Sequence, residues 1–448
     1  MQAWMLLASL LASPAHALDL AVSVPIQGQD VVVTVRNGRP QARLQLYRSS
    51  TPPTVGPVPC VNPAAGICPD LQDARLVAQG VTDANGRARF TFTVPVDAPI
   101  GDVWFQAVEQ GAPTSNSNRV ARRVVRVCQG NETITSEEEL LPWQDCGWIV
   151  GGLQVVGYEG TSLPLPHLVK VTGVFDISRA DELTSLDGLA SLERASSLYL
   201  ADMPALVDIR GLSNLREVPG DLSLASLPSL TSLHGLEGIR RADIVAFYQL
   251  NITSFEGLEN LERVEYMLAF SDMAALTSTE ALRSLRHIGE RLWVTDNPML
   301  TTLTSSLPLE HLGSASILEN PALVDISLLR GITRLPFEPG LSLQHCDLLS
   351  DLGALSSLRE ATSVTLQHLP NLKTLHGLEQ LRYVDNELYV QDNAALVDVT
   401  ALSETRVDQW SDVDVSGNVS LCNDQIKALA AYQQTRIGTA GNFGECPP

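Results

Sequence analysis

From Gly152 onward, apolar positions recur with a period too long for a single helix or strand. The segments "LYLADMPAL" from Leu198, "LWVTDNPML" from Leu292 and "LYVQDNAAL" from Leu388 share one frame. Each reads apolar–x–apolar, then a polar turn, then a leucine eight residues after the first. The frame also fits Leu222, Leu341, Val364 and Val413 and, more loosely, Leu153, Phe175, Ile244, Leu268 and Ala315. In chain order these twelve starts are separated by 22, 23, 24, 22, 24, 24, 23, 26, 23, 24 and 25 residues. A second landmark runs in phase: Gly188-Leu189, Gly211-Leu212, Gly235-Leu236, Gly257-Leu258 and Gly377-Leu378.

A turn of about 23 residues cannot bury its own leucines, so consecutive turns must stack. The pattern predicts a twelve-rung parallel solenoid, with neighbouring strands ~4.8 Å apart. Alternation sorts the side chains: Leu198 and Leu200 point in and Tyr199 points out. Past the last rung, a stretch from Asn423 to about Gln434 reads as a helix with Ile426 and Leu429 on one face and Asn423 as N-cap.

Residues 18–127 carry a different pattern. Short alternating runs such as "DVVVTVR" from Asp30 and "DVWFQAV" from Asp102 are separated by turn signals such as Asp83-Ala84-Asn85-Gly86. About seven strands in this length predict an immunoglobulin-like β-sandwich with a Pro-rich insert at 52–69. The block "GDVWFQAVEQG" with "SNSNRV" is similar to sandwich modules near the start of many secreted bacterial proteins. The expected fold class is therefore mainly β: a sandwich at 18–127 followed by a leucine-rich solenoid at 128–448.

Residues 1–11 are apolar, and Ala15-His16-Ala17 supplies the small residues of a cleavage site, so residues 1–17 read as a signal peptide. No segment is long enough to span a bilayer as a helix. The expected location is extracellular or at the cell surface, with the periplasm as the alternative. Seven cysteines fit an oxidising compartment. Three local pairs are expected as disulfides: Cys60 with Cys68, Cys128 with Cys146, and Cys422 with Cys446. The seventh, Cys346, falls where other rungs place Asn297, Asn320, Asn393 and Asn418, which predicts a buried structural thiol.

The solenoid resembles the receptor L-domain, a leucine-rich β-helix of receptor ectodomains with similar copies on bacterial and fungal surface proteins. The resemblance rests on Cys128-Gln129-Gly130, "SEEELLPWQDC" ending at Cys146, Gly151-Gly152-Leu153, the repeating leucine frame and the closing Cys422/Cys446 pair. It implies a fold shared by receptors, adhesins and wall proteins, and no single activity.

Formal charge is −21, which makes nucleic acid a poor partner, since binding it requires clustered cations. The one local run of cations, Arg119, Arg122, Arg123 and Arg126, alternates with valines and reads as the outer side of a strand. His345 and His368 lie one rung apart at a turn position elsewhere held by Asp202, Asp272, Asp296, Glu319 and Asp392. They read as exposed turn residues rather than metal ligands. There is no nucleophile elbow, phosphate loop or HExxH motif, so neither catalysis nor a cofactor is expected. The expected activity is recognition of a protein or glycan through the outward sheet positions: Tyr199, Trp293 and Tyr389, with Phe247, Gln344, Gln367 and Gln391 in the next outward row. Self-association as a structural envelope or matrix component is the alternative, and a glycan-active enzyme a more remote one.

Overall fold

A computed structural model of the chain describes residues 18–51, 69, 71–110, 117, 119–408, 412–433 and 437–442. The protein is mainly β, with 41% strand against 7% helix. It divides into two compact units: residues 1–128 with 145–148, and residues 129–144 with 149–448. The expected signal segment and the Cys60–Cys68 pair lie outside the described residues.

In the first unit seven strands form two antiparallel sheets. These are β1 (Asp19–Val22), β2 (Asp30–Arg36), β3 (Arg43–Ser49), β4 (Arg75–Val81), β5 (Ala88–Thr93), β6 (Gly101–Glu109) and β7 (Val120–Val124). One sheet has the order β1-β2-β5 and the other β4-β3-β6-β7. Alternation on β2 buries Val31, Val33 and Val35, which share a core with Leu46 and Phe105. The Asp83 carboxylate accepts from the Asn85 and Arg87 amides at 2.8 and 2.9 Å, closing the expected turn. Cys128 and Cys146 are disulfide-bonded with Cα atoms 5.8 Å apart. The local arginines are pinned: Arg122 donates to the Val22 carbonyl and Arg123 pairs with Asp145.

The second unit is built on parallel strands in a solenoid that runs between residues 126 and 438 in about 13 turns. All twelve expected rungs are present. The ladder gains a strand at each end: Glu132–Ile134 pairs with the strand at Leu153, and Ile437–Gly438 pairs with the strand at Val413. Inward leucines are fully buried from Leu198 and Leu200 through Leu388. Each sheet strand ends on a residue in left-handed conformation, with φ between 51° and 56° in ten successive rungs from Arg179 to Asp392. A side chain there costs roughly 1 kcal/mol or more. Inter-rung hydrogen bonds hold it, as when the His345 amide donates to the Gln367 carbonyl at 3.2 Å.

Next in each rung comes a buried slot. Asn320 Oδ1 accepts from Asn297 N at 3.2 Å, while its Nδ2 donates to the Val294 and Leu318 carbonyls. Asn393 and Asn418 repeat the arrangement. Cys346 occupies the same slot, fully buried, with Sγ 3.8 Å from the Ile317 carbonyl and 3.5 Å from that of Gln344. These are the rung-for-rung equivalents of the two carbonyls that Asn320 engages. Burial, ahead of every other influence, pushes its thiol pKa up to about 12.

The Gly-Leu landmark marks a close approach of rungs. A Cβ on Gly211 would lie 1.9 Å from the Leu186 carbonyl oxygen of the preceding turn. Polar residues two positions before the 3-10 turns that start at Asp187, Arg210, Ser327, Gly353 and Thr400 cap them, as Asp208 accepts from the Arg210 amide at 2.7 Å. The final helix spans Asn423–Gln433 and buries Ile426 and Leu429. Asn423 is its first residue and its Oδ1 makes no hydrogen bond, so it is not the expected cap. Cys422 is disulfide-bonded; Cys446 lies outside the described residues.

A second, parallel column of pairings runs upstream of the main sheet. Lys170 registers with Arg194, and Arg194 with Glu217. Further on the column reads Arg241, Arg263, His287 and His311, and later Arg334, Glu360, Tyr383 and Arg406. The cations of Arg119–Arg126 are therefore not the chain's one basic cluster, because stacking gathers residues about 23 positions apart.

Candidate ligand-binding face

The strand register places Tyr199, Trp293 and Tyr389 in a single outward column. It reads Asp176, Tyr199, Ser223, Ala246, Ala269, Trp293, Ser316, Ser342, Thr365, Tyr389 and Asp414. Trp293 sits four rungs from each tyrosine, so neighbouring aromatics are ~19 Å apart. They form an extended line and share no pocket. The side chains between them are small Ser, Ala and Thr, of which Ala246, Ala269, Ser316 and Ser342 are buried.

Each aromatic is fixed differently. The Tyr199 hydroxyl donates to Asp221, and the Tyr389 hydroxyl donates to Asp412 at 3.1 Å. Burial, those hydrogen bonds and neighbouring carboxylates raise both phenol pKa values to about 12. Both phenols stay protonated across the physiological range. Trp293 is 38% exposed, and the Arg291 guanidinium lies 5.7 Å from its ring centroid. Asp243 lies near the tyrosine end, where burial and then Asp221 and Glu265 raise its carboxyl pKa.

The second outward row holds Gln344, Gln367 and Gln391 on three successive rungs, in register. Gln344 donates to Ser342 at 2.8 Å and Gln391 to Asp414 at 2.6 Å. Phe247 does not belong to this row. Leu222 pairs with Val245 rather than Ile244, and a register shift lies between Ala242 and Ile244. A one-residue slip exchanges the two faces of a strand. Val245, which a rung starting at Ile244 would turn outward, is therefore buried. Phe247 is also fully buried, with ring centroids 5.5 Å from Phe255, which itself packs 5.1 Å from Phe270. Tyr248 takes the outward place, in register with Ser271, and burial raises its pKa.

His345 and His368 stack with ring centroids 4.3 Å apart at an angle of 13°. Glu319 and Asp392 flank them, each with a carboxylate oxygen 3.7 Å from the nearer Nε2. Among the described residues no group of three or more His, Cys, Asp or Glu side chains is placed to hold a metal ion. Nor, among those residues, is any helix long and apolar enough to cross a membrane. In comparisons with known proteins, no family model and no curated sequence matches this chain.

Proposed function

We propose that this chain is a non-enzymatic recognition protein, exported to the cell surface or medium. Its leucine-rich, receptor L-domain-like solenoid binds a protein or glycan along the outward sheet face. The immunoglobulin-like module at 18–127 serves as spacer or attachment. The observation that carries the reading is the alignment of Tyr199, Trp293 and Tyr389 in one column, with the three glutamines beside it. Orientationally fixed phenols, an indole and amide side chains on one strip suit an elongated ligand, to which each offers a hydrogen bond or an apolar platform.

The test is an array of glycans and extracellular proteins probed with the purified chain. The variants Tyr199→Ala, Trp293→Ala and Tyr389→Ala then follow on any hit. Loss of binding by a factor of about ten or more per aromatic is expected. Unchanged binding in the triple variant removes the sheet face from consideration. Self-association by light scattering with an empty array favours the structural alternative, and turnover of a polysaccharide overturns the non-enzymatic reading.

A further inference from the structure

The upstream column and the residue before it in each rung form a charged stripe apart from the aromatic column. Its carboxylates are mostly paired. Arg194 pairs with Glu217, Arg240 with Glu262, and Arg263 with Glu265. Two exposed arginines between them, Arg216 and Arg241, have no ion-pair partner among the described residues, although Arg241 acts on Glu265 through space. Both border a cleft of about 420 Å³ that Arg240, Val218, Pro219 and Gly238 also line, together with Glu217, whose carboxylate pairs with Arg194. Three arginines thus line one cleft in a chain of net charge −21, Arg240 paired with Glu262 and the other two without an ion-pair partner among the described residues. Further along, a smaller cleft of about 190 Å³ is lined by Arg334, Pro336 and Tyr383 but also by Glu360 and Asp385, and its arginine pairs with Glu360 at 2.8 Å, so it lacks the free cations of the first.

The geometry points to a binding site for an acidic glycan, seated on the Arg216–Arg240–Arg241 cleft and running along the stripe. Guanidinium forks match carboxylate and sulfate oxygens in pairs. Pro219 is exposed and offers a surface for the C–H face of a sugar ring. Interleaved glutamates and the overall negative charge oppose the continuous phosphate contact that nucleic acid requires. This site is independent of the sheet face, so either can fail alone.

The experiment measures binding of the full chain to a heparin-derived oligosaccharide, an oligogalacturonate, a neutral cello-oligosaccharide and short single-stranded DNA across a salt series. The expected result is salt-sensitive binding of the first two and none of the neutral oligomer. The Arg216→Ala/Arg241→Ala variant should weaken binding about tenfold or more and flatten its salt dependence. A Lys373→Ala control, altering an exposed cation on another part of the rung, should not. Nor should the Tyr199/Trp293/Tyr389 alanine variant, which separates this site from the sheet face. Both arginines are exposed, and an unchanged thermal melt checks the fold. The proposal is overturned if neither acidic oligomer binds, if the arginine variant binds as the parent does, if the lysine control weakens binding equally, or if DNA binds as tightly.

Discussion

Replacing Cys346 tests the reading of the solenoid interior most directly. The thiol accepts a hydrogen bond from the buried Asn320 amide and sits near the Ile317 and Gln344 carbonyls. In the preceding rung an asparagine does the same work with stronger groups, Asn320 Nδ2 reaching its two carbonyls at 3.0 and 2.7 Å, while in the following rung the apolar Leu369 fills the slot. Cys346→Asn should therefore convert a sulfur acceptor and a weak thiol donor into full hydrogen bonds. A gain of about 0.5–1.5 kcal/mol follows from the usual net value of such a bond. Cys346→Leu removes the acceptor and leaves the Asn320 amide buried without a partner, a loss of about 1–3 kcal/mol. Urea unfolding followed by circular dichroism measures both shifts. Because rungs of a solenoid can open separately, hydrogen exchange at the Asn320 amide should accompany it. Protection should rise in the asparagine variant and fall in the leucine variant. A leucine variant as stable as the parent, or an asparagine variant destabilised by more than about 1 kcal/mol, refutes the shared-slot argument.

Gly211→Ala should destabilise the fold by about 1–3 kcal/mol or more, because its Cβ would fall 1.9 Å from a carbonyl oxygen that only a shift of the whole rung can move. Gly353→Ala, whose Cβ would have the Asp351 side chain as its nearest neighbour at 3.0 Å, should stay within about 0.5 kcal/mol in the same denaturation assay. In Glu237 and Glu379 burial pushes the pKa up, but backbone hydrogen bonds at their own and the Gly235 or Gly377 amides, with the adjacent histidine, leave it lowered. A lowered folded value stabilises the fold above the ordinary glutamate pKa, and that contribution disappears as pH falls through the folded value. Denaturant midpoints should thus drop on acidification, and Glu237→Gln/Glu379→Gln should flatten the drop; parallel curves would contradict this. Native Cys346 should resist a thiol reagent at pH 8 and react only on unfolding.

The repeat was legible because its signal is one of period: leucines that must be buried recur with each turn. It also placed Cys346 in the asparagine slot and His345 beside His368. What failed was one start. The spacings of 22 and 24 residues on either side of Ile244 become 23 and 23 when Val245 is chosen, and the shift exchanges Phe247 for Tyr248 on the outer face. Apolar residues at 244, 245 and 247 satisfy either frame, so hydrophobicity alone could not decide. The arginine stripe was missed for another reason. Its members are far apart along the chain, and the eye looks for charge among neighbours. The signal is there in phase with the leucines, in "LERA", "IRRA", "LERV" and "LREA".

The column of left-handed residues has an evolutionary consequence. At those ten positions the main chain is held by the adjoining turn, as in the His345–Gln367 bond, and owes little to the side chain it carries. Arg, Asp, Ser, Gln, Glu and His all occur there. A site whose shape is guaranteed by its neighbours can change its chemistry by single substitutions without renegotiating the fold. The edge of this solenoid is thus a row of polar displays on a fixed frame, whose chemistry is separable from the interior that holds it.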